Sequence, residues 1–123
     1  MVAPSREAFS GAQKATIGLT IASAVLVLVS GVLVLQQLGA IDAGPGFAEF
    51  LVLVVLLIGM LRHQKIAFLG VLGAKVILVL VALGAFAVRP AAMNLSWFPA
   101  GLGANILLGV AIIYFSWKSL REM

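Results

Sequence analysis

Four long apolar runs, separated by three short polar breaks, organise this sequence. They extend from about Thr16 to Leu38, Pro45 to Leu61, Ile66 to Val88, and Trp97 to Trp117. A helix needs about 20 residues to cross a hydrocarbon core of about 30 Å. The first, third and fourth runs reach that length. The second holds about 17 residues and crosses only if its ends sit in the interface or the bilayer thins. The runs do not alternate with period two, and four segments are too few for a closed barrel, so backbone groups in lipid must be satisfied by helices. The pattern predicts an all-α, four-transmembrane-helix protein.

The breaks predict how the helices connect. IDAGPG joins the first pair, with Pro45 suited to an early helix position and Gly44 or Asp42 as the cap. RHQK joins the second pair and RPAAMNLS the third, where Ser96 is the expected cap of the last helix. Links this short lay each helix antiparallel beside its predecessor. The expectation is one domain over residues 1–123, an up-down-up-down bundle.

Composition supports lipid as the main solvent. Hydrophobic residues make up 63% of the 123-residue chain and charged residues 10%, too little polar surface for a soluble domain of this size. The net charge of +4 raises the question of nucleic acid. The basic residues, however, stand singly between apolar runs, with no patch to follow a phosphate backbone. They read as topology signals. Arg6, Lys14, Arg62, Lys65, Lys118 and Arg121 fall at one end of the bundle, and only Arg89 in the opposite loops. The positive-inside rule then places both termini in the cytoplasm, and a bacterial cytoplasmic (inner) membrane is the expected location. Trp97 and Trp117 are spaced to mark the two interfaces of the last helix, with Tyr114 assisting at the inner one. The first run resembles the apolar part of a signal peptide but exceeds its usual length of about 7–15 residues, so it is expected to remain as a span.

Polar residues inside the runs are the functional leads. In the first helix Thr16, Thr20, Ser23, Val27, Ser30, Val34 and Gln37 recur at steps of four and three, forming one seam. It reads as a packing seam, with a polar track for an ion or small solute as the sharper alternative. Gly101, Asn105 and Gly109, with Ala104 beside them, form a comparable small-residue face on the fourth helix. An unpaired amide in hydrocarbon is costly, so Asn105 is expected to bond to another helix or to water.

Lys75 lies within the apolar stretch GVLGAKVILVLVAL. At about 100° per residue, Gly70, Gly73, Ala74, Ile77, Val81 and Gly84 share a smooth face suited to close packing. Lys75 falls roughly 150° away, with Phe68, Val71, Leu72, Val79 and Ala82. That predicts an ammonium directed away from the bundle's own packing surface. Three outcomes follow: snorkelling toward the nearer interface, pairing with a carboxylate of this chain or of a partner, or lining a hydrated path. Glu49 is the one acid expected within the membrane layer. Placed one turn inside the second helix, it would differ from Lys75 in depth by roughly 6–8 Å and could stay in interfacial water, favoured by the helix dipole.

Catalytic and metal constellations are missing from the pattern. There are no cysteines, and His63 is the one histidine, in the RHQK turn. No carboxylates pair at general acid–base spacing. The glycines of GLGANILLG lie in a span and cradle no phosphate. No enzyme, metal or cofactor is expected. The partners implied are the lipid bilayer and other membrane-protein subunits or further copies of the chain, with no nucleic acid. The expected function is an accessory or assembly subunit of a larger membrane complex. The alternative is a small homo-oligomeric transporter or channel for an ion or small solute. The intramembrane polar candidates are Lys75, Glu49, Asn105, Ser23 and Ser30.

Overall fold

The apolar runs become four long helices in the computed structural model, which describes residues 9–88 and 91–122. They are α1 (Gly11–Leu38), α2 (Ala40–Leu61), α3 (Lys65–Val88) and α4 (Phe98–Glu122), with a short 3₁₀ turn at Ala91–Asn94. Each is long and apolar enough to cross a membrane. Arg6 and Arg89 lie outside the described residues.

Side-chain register gives the helix directions. Gly46 approaches Gly31 across the reversal at Gly39, Gly59 and Leu56 approach Ala67 and Gly70, Leu69 and Val79 lie beside Leu120 and Gly109, and Ser10 and Ser23 bond Glu122 and Asn105, so each contacting pair runs antiparallel. α1 packs on α2, α3 on α4, and α4 closes back on α1, while the α2–α3 contact is the least extensive of the four. The apolar core lies toward the end that holds both helix termini, where Ile17, Leu53, Met60, Phe68, Val71 and Ile112 meet.

Helix ends differ from the expected breaks in three places. α1 starts about a turn earlier than the apolar run, at a capping box. The Gln13 amide donates to Ser10 Oγ at 3.1 Å, and the Ser10 amide donates to Gln13 Oε1 at 2.8 Å. IDAGPG is not a loop. α2 begins at Ala40 and runs 22 residues, about 33 Å at ~1.5 Å per residue, so no bilayer thinning is needed. Pro45 is tolerated as its sixth residue because the carbonyl it leaves without a donor belongs to the exposed Ile41, in the first turn. Neither Gly44 nor Asp42 is the cap, since both lie inside the helix. Ser96 Oγ accepts no capping bond among the described residues, and the first turn of α4 is closed by Phe98 N–H to Leu95 O and Gly101 N–H to Trp97 O.

The α1–α2 reversal contracts to one residue, Gly39, with φ 101° and ψ 179°. Its N–H donates to both Val34 O and Leu35 O. That backbone region is open essentially to glycine alone. No atom lies within 4 Å of where a Cβ would stand, so Gly39→Ala tests strain without crowding. It is expected to cost about 1–3 kcal/mol, read as a lowered thermal midpoint in mild detergent. An unchanged midpoint would contradict this junction.

At the other end of α2, His63 takes the left-handed conformation (φ 58°). Its N–H donates to Met60 O and that of Gln64 to Gly59 O, the paired bonds of a Schellman ending. The His63 ring stacks on Phe9 at 4.0 Å.

Candidate functional site

The polar seam of α1 faces inward: Thr16, Thr20, Ser23, Val27 and Val34 are buried. α4 answers with Asn105, Gly109, Ile112, Ser116 and Ser119 at steps of four and three, and of these all but the partly exposed Asn105 are buried. Ala104, expected on this face, is exposed. Most of the hydroxyls are occupied locally. Thr16 Oγ1 donates to Ala12 O at 2.8 Å, Thr20 Oγ1 to Thr16 O at 2.7 Å, and Ser119 Oγ to Phe115 O at 2.8 Å. A hydroxyl bonded to its own helix behaves as a small packing residue, which supports the packing reading of this stretch.

The exception is a ring of four side chains, one from each helix. Lys75 Nζ on α3 donates to Ser23 Oγ on α1 at 2.6 Å, and Ser23 Oγ donates to Asn105 Oδ1 on α4 at 2.8 Å. Asn105 Nδ2 donates to Glu49 Oε2 on α2 at 3.2 Å, and the same oxygen accepts from Lys75 Nζ at 3.3 Å. Lys75 is 0% exposed, and the Glu49 side chain 13%. This is the one ion pair among the described residues, and there no buried side-chain nitrogen or oxygen lacks a partner.

The ring corrects two expectations. Lys75 does not point away from the bundle. It shares the inner face of α3 with Phe68, Val71 and Ala82, whereas Ile77 and Val81 on the supposed packing face are 62% and 63% exposed. The reason is one of magnitude. An ammonium facing hydrocarbon costs roughly 2.5–3.5 kcal/mol or more, which outweighs close packing against a Gly/Ala face. Of the outcomes open to Lys75, the pairing is therefore with a carboxylate of this chain. Glu49 is likewise not in the first turn. With α2 starting at Ala40 it is the tenth residue, level with Lys75.

Local sequence explains the fit. Gly109 lies beside the lysine stem, and a Cβ there would stand 3.7 Å from Lys75 Cδ and 2.7 Å from Val79 Cγ2. The absent side chain lets α4 approach and gives the stem room. The crevice bounded by Val79, Ala82, Asn105 and Ile106 is too narrow for a water molecule. Ser30 stays outside the ring, partly exposed near Gly101. Gln37 is also exposed and accepts from Trp97 Nε1 at 3.4 Å.

Chemically, the ring holds one cation and one anion side by side, with the ammonium buried and the carboxylate and amide partly exposed. Among the described residues no group of three or more His, Asp or Glu side chains could hold a metal ion. The Ser10 link to Glu122 (2.9 Å), which joins the first and last helix ends, was not anticipated. The Ser-x-x-Gln spacing at Ser10 is the signal that marks that helix start. No family model matches this chain, and no curated protein or solved structure matches it either, so its functional reading rests on this geometry.

Proposed function

We infer that the chain is a non-catalytic, multi-pass protein of a bacterial cytoplasmic membrane, with both termini on the cytoplasmic side, serving as an accessory or assembly subunit of a larger membrane complex. The observation that carries this reading is the closed four-helix ring. It joins the four helices to one another through Lys75, Ser23, Asn105 and Glu49, so on this reading the chain acts through its outer surface. That surface is apolar on every helix, with Val25, Leu51, Ile77 and Leu107 among the exposed residues. On α3 it includes the exposed Gly73 and Gly84, where a Cβ would meet no side chain or neighbouring helix within 4 Å. Small residues on an outer face let a second helix approach closely. The excess of Lys and Arg at the end bearing the termini supports the orientation.

Gly73→Leu/Gly84→Leu tests the reading without disturbing the bundle. Extraction in mild detergent is expected to recover the wild-type chain in a complex and the variant alone, at an undiminished thermal midpoint. A wild-type chain that always runs as a lone monomer would overturn the proposal.

One observation favours transport as a second reading. A buried ion pair is no more stabilising than apolar residues of similar volume, so its presence at mid-bundle fits a role in moving a proton or ion. Flux through reconstituted vesicles, lost in Lys75→Met, is the expected result on that reading. Flux no greater than in empty vesicles excludes it.

A further inference from the structure

A second polar feature lies outside the ring, at the end of the bundle that carries the termini. There the first turns of α3 and the last turns of α4 border a shallow, open groove of about 530 Å³, lined by Lys65, Ile66, Leu69, Trp117, Leu120 and Arg121. We propose that this groove binds the headgroup of an anionic phospholipid, with its phosphodiester between Lys65 and Arg121. The proposal rests on the membrane placement above but not on the accessory-subunit role.

Three features argue for that occupant. Its polar groups are all of one sign: neither Lys65 nor Arg121 has a carboxylate partner among the described residues. The neighbouring Glu122 is engaged elsewhere, accepting from Ser10 Oγ at 2.9 Å on the α1 side. The Arg121 guanidinium sits 4.7 Å from the centroid of the Trp117 ring, which holds the planar fork ready for two phosphate oxygens. Lys65 is the first residue of α3, where the helix dipole adds to the attraction for an anion.

The remaining walls suit the rest of a lipid and not a free anion. Ile66, Leu69 and Trp117 are exposed, and Leu69 leads from the cations onto the apolar outer surface of α3. An acyl chain would continue along that surface. The indole occupies the level at which tryptophans sit between headgroups and hydrocarbon. Basic pockets between helices at the cytoplasmic side are a recurrent form of lipid headgroup site.

Native mass spectrometry of the protein released from vesicles tests this. Mixed phosphatidylglycerol and phosphatidylcholine vesicles are used for the wild type, Lys65→Gln/Arg121→Gln, and Lys118→Gln. Lys118 lies in the same last turns of α4 but does not line the groove. The wild type and the Lys118 variant are expected to retain phosphatidylglycerol, and the double variant to bind it about 30-fold more weakly. That factor corresponds to about 1 kcal/mol for each cation near an anionic lipid surface. Both variants alter exposed side chains, so unchanged thermal midpoints serve as the folding control. Equal retention by the double variant, an equal loss in Lys118→Gln, or equal retention of phosphatidylcholine each overturns the site. Competition by glycerol phosphate as effective as by the intact lipid assigns the groove to a free phosphate and overturns the lipid. Failure of the chain to float with neutral vesicles would instead overturn the membrane placement itself.

Discussion

Replacing Glu49 by Leu while Lys75 stays in place is expected to destabilise the fold by about 3–5 kcal/mol, the cost of leaving one member of a buried ion pair without its partner. The Lys75 ammonium would keep one acceptor, Ser23 Oγ at 2.6 Å, and Asn105 Nδ2 would lose its own. Lys75→Met alone is expected to be costly for the complementary reason, since the Glu49 carboxylate would then accept only from Asn105. The double variant Lys75→Met/Glu49→Leu should recover most of the loss. Ser23 and Asn105 keep their 2.8 Å bond, and an apolar pair of similar volume is often neutral or more stabilising. One amide donor is left over, at about 1–3 kcal/mol, which sets how far the recovery goes. Unfolding in mild detergent across this cycle gives the coupling directly. A loss below about 1 kcal/mol in Glu49→Leu would mean that the ammonium has another route to neutrality, and the ring would lose its structural role. The stable double variant also serves function. If it retains its complex partners, the ion pair is architectural, and if it abolishes flux, the pair is part of a pathway.

Much of the fold was legible because long apolar helices joined by short links follow a simple code. Four apolar runs and short polar breaks yield four helices and antiparallel neighbours without any knowledge of packing. The helix ends were less legible. Pro45 reads as a helix start, yet a proline in the first turns costs little where its missing hydrogen bond falls on an exposed carbonyl. That difference of five residues moves Glu49 by about 7.5 Å along the helix axis. It accounts for the whole depth gap that seemed to separate Glu49 from Lys75. The face of α3 failed for another reason. A wheel ranks faces by smoothness, but only the fourfold arrangement reveals that Ser23, Glu49 and Asn105 converge where Lys75 can reach them. All four ring members stood out as polar residues in apolar runs. Their mutual contact was not legible, because it depends on the rotation of four helices at once. Ser30 looked equivalent to Ser23 on the wheel and lies outside the ring.

The ring also depends on a residue with no polar atom in its side chain. Gly109→Val is expected to cost about 3 kcal/mol, at the upper end of the overpacking range. A Cβ would already stand 2.7 Å from Val79 Cγ2 and 3.7 Å from Lys75 Cδ. Val79 is β-branched and stiff at χ1, so it cannot swing aside, and the added methyls press on the lysine stem that carries the ammonium to Ser23 and Glu49. Helix propensity works the other way, because valine is a few tenths of a kcal/mol better than glycine in a helix interior. Gly103→Val isolates that smaller effect: it lies on the same helix with nothing within 4 Å of its Cβ position. It is expected to leave stability within about 0.5 kcal/mol of wild type. Adding Val79→Ala to Gly109→Val should restore part of the loss by opening space on α3. Equal effects of Gly103→Val and Gly109→Val would show that α4 does not press on α3 at Lys75. A large difference, reduced by Val79→Ala, would establish that this glycine sets the helix separation at which one lysine can serve partners on α1 and α2.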